Sequence, residues 1–154
     1  MKIYLIRHGQ TEWNTLGKWQ GHSDICLNET GVAQAAAIAR RLADKKGQIA
    51  RIYSSPLLRA YKTAEEINRG LGVEIVTRDD LKEIFLGKWE GKTVQEIVGL
   101  DADHFRRWEE EDNPLFGFDI ETYFALRERA WRALNEFVAE EGDEKDAVIV
   151  SHGA

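Results

Sequence analysis

Cysteine, proline and positive charge are all scarce in this chain. Cys26 is the only cysteine, which excludes an internal disulfide and a cysteine-built metal site. A lone thiol fits a reducing compartment, and a small buried apolar residue is the expectation for it. No apolar run approaches the ~20 residues that a membrane span needs. The N-terminus has no apolar signal region ending in a small-residue cleavage site. A soluble cytoplasmic protein without membrane contact is therefore expected. Basic residues number 21 against 27 acidic ones, a formal charge of −6. That balance lacks the broad basic face of nucleic-acid binders. Any anion must be held by a local cluster of cations against the mean field of the molecule.

What is present is an alternation of strands and helices, without repeats or low-complexity linkers, over the 154 residues that suit about one domain. A short apolar strand, Ile3 to Ile6, ends at Arg7-His8-Gly9, and a Gly- and Trp-containing loop follows. Asn28 is placed to cap a helix whose apolar stripe runs through Val32, Ala35, Ala36, Ala39, Leu42 and Ala43. A second strand, about Ile49 to Ser54, leads into Ser55-Pro56, read as a helix start. The stripe Leu57, Ala60, Ala64, Ile67, Leu71 then ends at Gly70 and Gly72, before a third strand over Val73 to Val76. Thr93 and Glu96 form a capping box for a shorter helix. Residues 101–118 read as irregular or partly helical, and Glu121 to Glu141 as a long helix. Ala147 to Val150 is a buried-type strand ending in Ser151-His152-Gly153.

This order predicts an α/β fold, a three-layer sandwich with a mainly parallel sheet. Ligands of such sheets sit beyond the carboxyl ends of the strands. Arg7 and His8 follow the first strand, Arg59 stands one turn into the helix after the second, and His152 follows the last. Helical side chains lean toward the helix N-terminus, which brings Arg59 to the same edge. Two arginine forks suit phosphate oxygens. The N-terminus of the helix at Ser55 is expected to add backbone donors. A neutral imidazole is a nucleophile for phosphorus, and Arg7 and Arg59 favour the neutral form of His8. His152, charged in a bound complex, would hydrogen-bond a transferring phosphoryl oxygen. Such a set needs no metal. His22 and His104 lie away from strand ends and read as surface or structural. The five tryptophans read as packing.

The octapeptide Arg7-His8-Gly9-Gln10-Thr11-Glu12-Trp13-Asn14 resembles the signature of the histidine phosphatase superfamily, in its phosphoglycerate-mutase-like branch. Four further blocks resemble the family in order. They are Gln20-Gly21 with Asp24, Leu27-Asn28 and Gly31; Ser54 to Ala60 with Thr63-Ala64; Leu81-Lys82-Glu83 with Gly87 to Gly91; and Ser151-His152-Gly153. The resemblance implies that His8 is the phosphorylated nucleophile and that Arg7, Arg59 and His152 line the phosphate pocket. It implies that Asn14 contacts the phosphoryl group or orders its loop, and that Gln20 and Gly21 join the substrate-binding set. Glu83 becomes the acid that protonates the leaving oxygen and then the base that activates water. No cofactor and no metal is implied.

The sequence departs from the family at Cys26, where proline is common, and at Asp119-Ile120, where two glycines are expected. Family members continue past the second histidine with a further helix and strand. The chain is accordingly expected to be one domain lacking its C-terminal part, with weak stability and poor activity as a consequence. The resemblance implies a phosphatase for a small phosphorylated metabolite: a sugar phosphate, a phosphoglycerate-like acid or a ribazole-type phosphate. The short segment between Gly91 and Glu121 favours this over a phosphoglycerate mutase, whose longer insertion closes over the substrate. A phospho-ligand or protein-binding module without turnover is the alternative from another class. A homodimer is kept open. Residues 101–118 are expected to shape specificity, with Phe105, Trp108, Phe116 and Phe118 as an apolar lid or as core.

Overall fold

The computed structural model describes residues 1–111, 120–142 and 145–153. Four strands form one parallel sheet in the order β1-β4-β2-β3: β1 Ile3–Arg7, β2 Ile49–Ser54, β3 Glu74–Thr77 and β4 Asp146–Ser151. The helices are α1 Glu12–Thr15, α2 Glu29–Leu42, α3 Leu58–Leu71, α4 Val94–Glu111 and α5 Tyr123–Glu141. Among the described residues, no helix is long and apolar enough to cross a membrane.

β4 explains the layering. Ala147, Val148, Ile149 and Val150 are all buried, as expected of a central strand covered on both faces. Alternate residues serve opposite cores. Val148 and Val150 join Ile52, Ala60, Ala64, Ile67 and Leu71 under α2 and α3. Ala147 and Ile149 join Tyr53, Ala133 and Phe137 under α5. Tyr53 and Phe137 stack with ring centroids 3.8 Å apart. A third core gathers Ile84, Leu86, Trp89, Ile97, Trp108 and Leu126, with Trp19 and Phe105 against it. β1 is an edge strand, half open: Leu5 is 75% exposed, whereas Tyr4 and Ile6 pack inward.

Local signals hold at most boundaries. The Asn28 side chain accepts from Gly31 N at 2.9 Å, Gly72 ends α3 with φ +68°, and Thr93 and Glu96 make the reciprocal capping bonds. Three expectations need correction. α3 starts at Leu58, not at Ser55-Pro56. Asp24 accepts from Leu58 N at 2.6 Å, so a carboxylate from a distant loop caps the helix. α4 has 18 residues rather than a short span, because Phe105 and Trp108 pack into the third core and carry the helix onward. Cys26 is exposed, in the loop before α2. Phe105 and Trp108 thus belong to core, while Phe116 and Phe118 lie outside the described residues.

Phe137 carries the α5 layer and is fully buried. Phe137→Ala is expected to lower unfolding free energy by about 3–5 kcal/mol in urea melts.

Candidate active site

The carboxyl edge of the sheet brings Arg7, His8, Arg59, Glu83 and His152 together. β1 ends at Arg7, and His8 N donates to Ser151 O at 3.0 Å, which ties the two strand ends. The His8 and His152 rings are 5.1 Å apart. Gly153 leaves room for the Arg7 guanidinium, since a Cβ there would meet Arg7 Cζ at 3.0 Å. His8 Nδ1 lies 2.7 Å from Gly9 O. A carbonyl only accepts, so Nδ1 carries the proton and the neutral ring has its lone pair on Nε2. Burial pulls the His8 pKa down to about 4, with Arg59 and Arg7 helping against the bond to Gly9. Burial, then the Arg59 charge, also pushes His152 far down. Both rings are thus neutral near pH 7 in this site. His152 Nε2 pairs with Ser55 Oγ at 2.8 Å.

Arg59 is fully buried. Nη1 donates to Ser23 O and Nη2 to Gly21 O, each at 2.8 Å. Three buried side-chain nitrogens, Arg59 Nε, His152 Nδ1 and Trp108 Nε1, have no hydrogen-bond partner among the described residues. Such orphans in native structures call for an explanation, and a bound ligand is one. The expected backbone donors at the head of α3 are partly spent, because Asp24 takes Leu58 N.

The 20–24 loop is held from behind by Glu90. Its carboxylate accepts from His22 N at 2.9 Å and Ser23 Oγ at 2.6 Å. Gly21, at φ +48°, admits it: a Cβ would stand 2.2 Å from Glu90 Oε1. Asn14 Oδ1 accepts from Thr11 N at 2.9 Å, which turns its amide nitrogen away from that bond. Gln20 Oε1 lies 2.9 Å from Thr11 Oγ1. Thr63 Oγ1 accepts from Gly9 N and donates to Arg59 O, tying the His8 turn to α3.

Glu83 follows a 3-10 turn, Asp79–Leu81. Its carboxylate accepts from Ile84 N at 3.0 Å and Gly153 N at 3.2 Å. With Arg7, Asn14, Gln20, Gly21 and Gly153 it lines a cleft of roughly 310 Å³, whose other wall includes Lys18, Trp19 and Trp108. Arg7 and Asn14 also line a second hollow containing His8, so they stand between His8 and the cleft. No group of three or more His, Cys, Asp or Glu side chains able to hold a metal occurs among the described residues.

Sequence reading missed Ser55 as the His152 partner, Glu90 behind the 20–24 loop, and a guanidinium, Arg129, against the Glu83 backbone. In the sequence Ser55 reads only as a helix start, Glu90 stands inside a recognised block without a stated role, and nothing local singles out Arg129. His22, read as surface or structural, reaches the Glu83 backbone: Nε2 donates to Glu83 O at 2.8 Å.

The model of the histidine phosphatase superfamily (branch 1) matches residues 3–154. The chain belongs to the histidine phosphatase superfamily. Phosphoserine phosphatase 1 of Hydrogenobacter thermophilus is 36% identical over 152 residues, covering 99% of this chain and 71% of that protein. The solved Bacillus stearothermophilus YhfR superposes with TM-score 0.88 at 34% identity, over 98% of this chain and 73% of that one. A mycobacterial glucosyl-3-phosphoglycerate phosphatase, solved with VO3, superposes with TM-score 0.86 at 32% identity, over 97% and 73%. This membership and these relatives make the chain a phosphoric monoester hydrolase acting on small phosphorylated metabolites.

Depressed histidine pKa values have a thermodynamic consequence. An unfolded histidine takes up its proton near 6.5 and folded His8 only near 4. Between those values the unfolded state binds more protons, so stability falls as pH drops from 6.5 to 4. A shift of that size in one buried histidine is on the order of 3 kcal/mol. Urea melts at pH 7, 5.5 and 4 are expected to show this loss and to show less of it in His8→Asn. Parallel pH dependence in the two proteins would contradict the assignment.

Proposed function

We propose that hydrolysis proceeds through a phosphohistidine on His8, with Glu83 as proton donor and then base. The observation that carries this is the His8 ring, neutral and protonated at Nδ1, with a nucleophilic Nε2 beside two arginines. In the first step Nε2 attacks phosphorus and the ester P–O bond breaks. Glu83, carrying a proton, gives it to the leaving alkoxide. In the second step water attacks the phosphohistidine, its proton passes to Glu83, and the P–N bond breaks to return neutral His8 and inorganic phosphate.

Arg7, Arg59 and His152 stabilise the equatorial oxygens during both transfers. The orphaned Arg59 Nε and His152 Nδ1 support this reading, because a phosphoryl group supplies the acceptors they lack. A bound dianion also offsets the Arg59 charge, which adds to burial in keeping His152 neutral in the free site. Asn14, Gln20 and Gly21 belong to the binding set: Asn14 through its amide nitrogen, Gly21 through the carbonyl that fixes Arg59. The leaving group occupies the cleft bounded by Lys18, Trp19 and Trp108. Lys18 and the aromatic wall suit a compact acidic organic phosphate, in the chemical range of phosphoserine and 3-phosphoglycerate.

Release of inorganic phosphate from p-nitrophenyl phosphate and 3-phosphoglycerate, with and without EDTA, tests the mechanism. Turnover is expected to survive EDTA and to fall at least a thousandfold in His8→Ala. Turnover that needs a metal, or survives in His8→Ala, would sink the proposal. Interconversion of phosphoglycerate isomers without net phosphate release would point to a mutase instead.

A further inference from the structure

Arg129, on α5, makes five hydrogen bonds, one for each N–H of its guanidinium. Nη1 donates to Asp80 O and Lys82 O, both at 2.7 Å. Nη2 donates to Glu83 O at 2.9 Å and to Glu121 Oε2 at 2.8 Å, and Nε donates to Glu121 Oε1 at 2.6 Å. Glu121 is itself fixed to the same loop: its Oε2 accepts from Phe85 N at 3.1 Å, and its backbone N donates to Phe85 O at 2.8 Å. Both side chains of the ion pair are only 15% exposed, a setting in which charge-assisted forked bonds are strong and geometrically demanding. His22 Nε2 takes the second lone pair of Glu83 O from the opposite side.

We infer that Arg129, held by Glu121, is a positioning residue for the proton donor: it fixes the backbone of residues 80–85 so that the Glu83 carboxylate faces the leaving oxygen. The inference rests on the reading of Glu83 as the acid. The Glu83 carboxylate accepts from the amides of Ile84 and Gly153 at 3.0 and 3.2 Å. Its aim depends on where the main chain of Glu83 and Ile84 lies, which Arg129 fixes through Glu83 O. Proton donation needs the acid within hydrogen-bond reach of the oxygen it serves, and a displacement of ~1 Å costs about a hundredfold. A helix-to-loop staple that served stability alone would have no preference among substrates.

The test compares kcat for 3-phosphoglycerate, whose alkoxide must be protonated, with kcat for p-nitrophenyl phosphate, whose phenolate departs readily. The full chain, Arg129→Lys, Glu121→Gln and Glu83→Gln are measured together. Arg129→Lys keeps the charge but not the fork. It is expected to lose at least tenfold more kcat on 3-phosphoglycerate than on p-nitrophenyl phosphate, and Glu121→Gln to show a smaller loss of the same kind. Amide hydrogen exchange at Ile84 and Phe85 is expected to quicken at least tenfold in Arg129→Lys, which reads the positioning without turnover. Equal losses on both substrates, or unchanged exchange, while Glu83→Gln remains selective, would overturn the role of Arg129. Loss of selectivity in Glu83→Gln itself would instead remove Glu83 as the acid.

Discussion

Arg59 is a full positive charge with no exposed surface, placed in an acidic molecule and held by two carbonyl oxygens rather than by a carboxylate. Burying an ion in this way costs several kcal/mol unless something pairs with it. Glu83, Asp24 and Glu90 act on it through space, opposing the effect of burial on its pKa. The Arg59 charge adds to burial in lowering the pKa values of His8 and His152.

Two loops frame the cation, and the fold fixes each one from behind. Glu90 gathers the amide of His22 and the hydroxyl of Ser23, and through them the carbonyls that hold Arg59. Arg129 gathers the carbonyls of Asp80, Lys82 and Glu83. His22 joins the two loops, since its backbone belongs to one and its ring binds the other. The arrangement is reciprocal in charge: a carboxylate organises the 20–24 loop and a guanidinium the 80–85 loop.

Much of this was legible in the chain itself. β4 announced a central strand through four consecutive apolar residues, and the chemistry stands directly after strands, at Arg7-His8 and at His152. The stripe of α3 is buried throughout, as its period implied, whereas that of α2 held only in part: Val32 and Ala43 are exposed and Ile38, outside the stripe, packs on the core. Glu83 was different. It lies in an acid-rich segment with no periodic context, and only the resemblance of its block singled it out. Arg129 is one of three arginines between residues 127 and 132, and its partner Glu83 is 46 positions away. Ser55 was read as a helix cap because serine before proline signals one locally. Its hydroxyl accepts from Leu57 N at 3.3 Å and also meets His152, 97 positions distant. Contacts of that range carry no local pattern, so side chains that act on the backbone of a remote loop stay invisible in a single sequence.

The central claim is that the His8 ring carries the phosphoryl group. Acid-free rapid quenching of the full chain during turnover of p-nitrophenyl phosphate, followed by peptide mass spectrometry, tests it directly. The account predicts one acid-labile phosphoryl group on the peptide containing His8. Turnover with no phosphorylated peptide, or with the group on another residue, would contradict it.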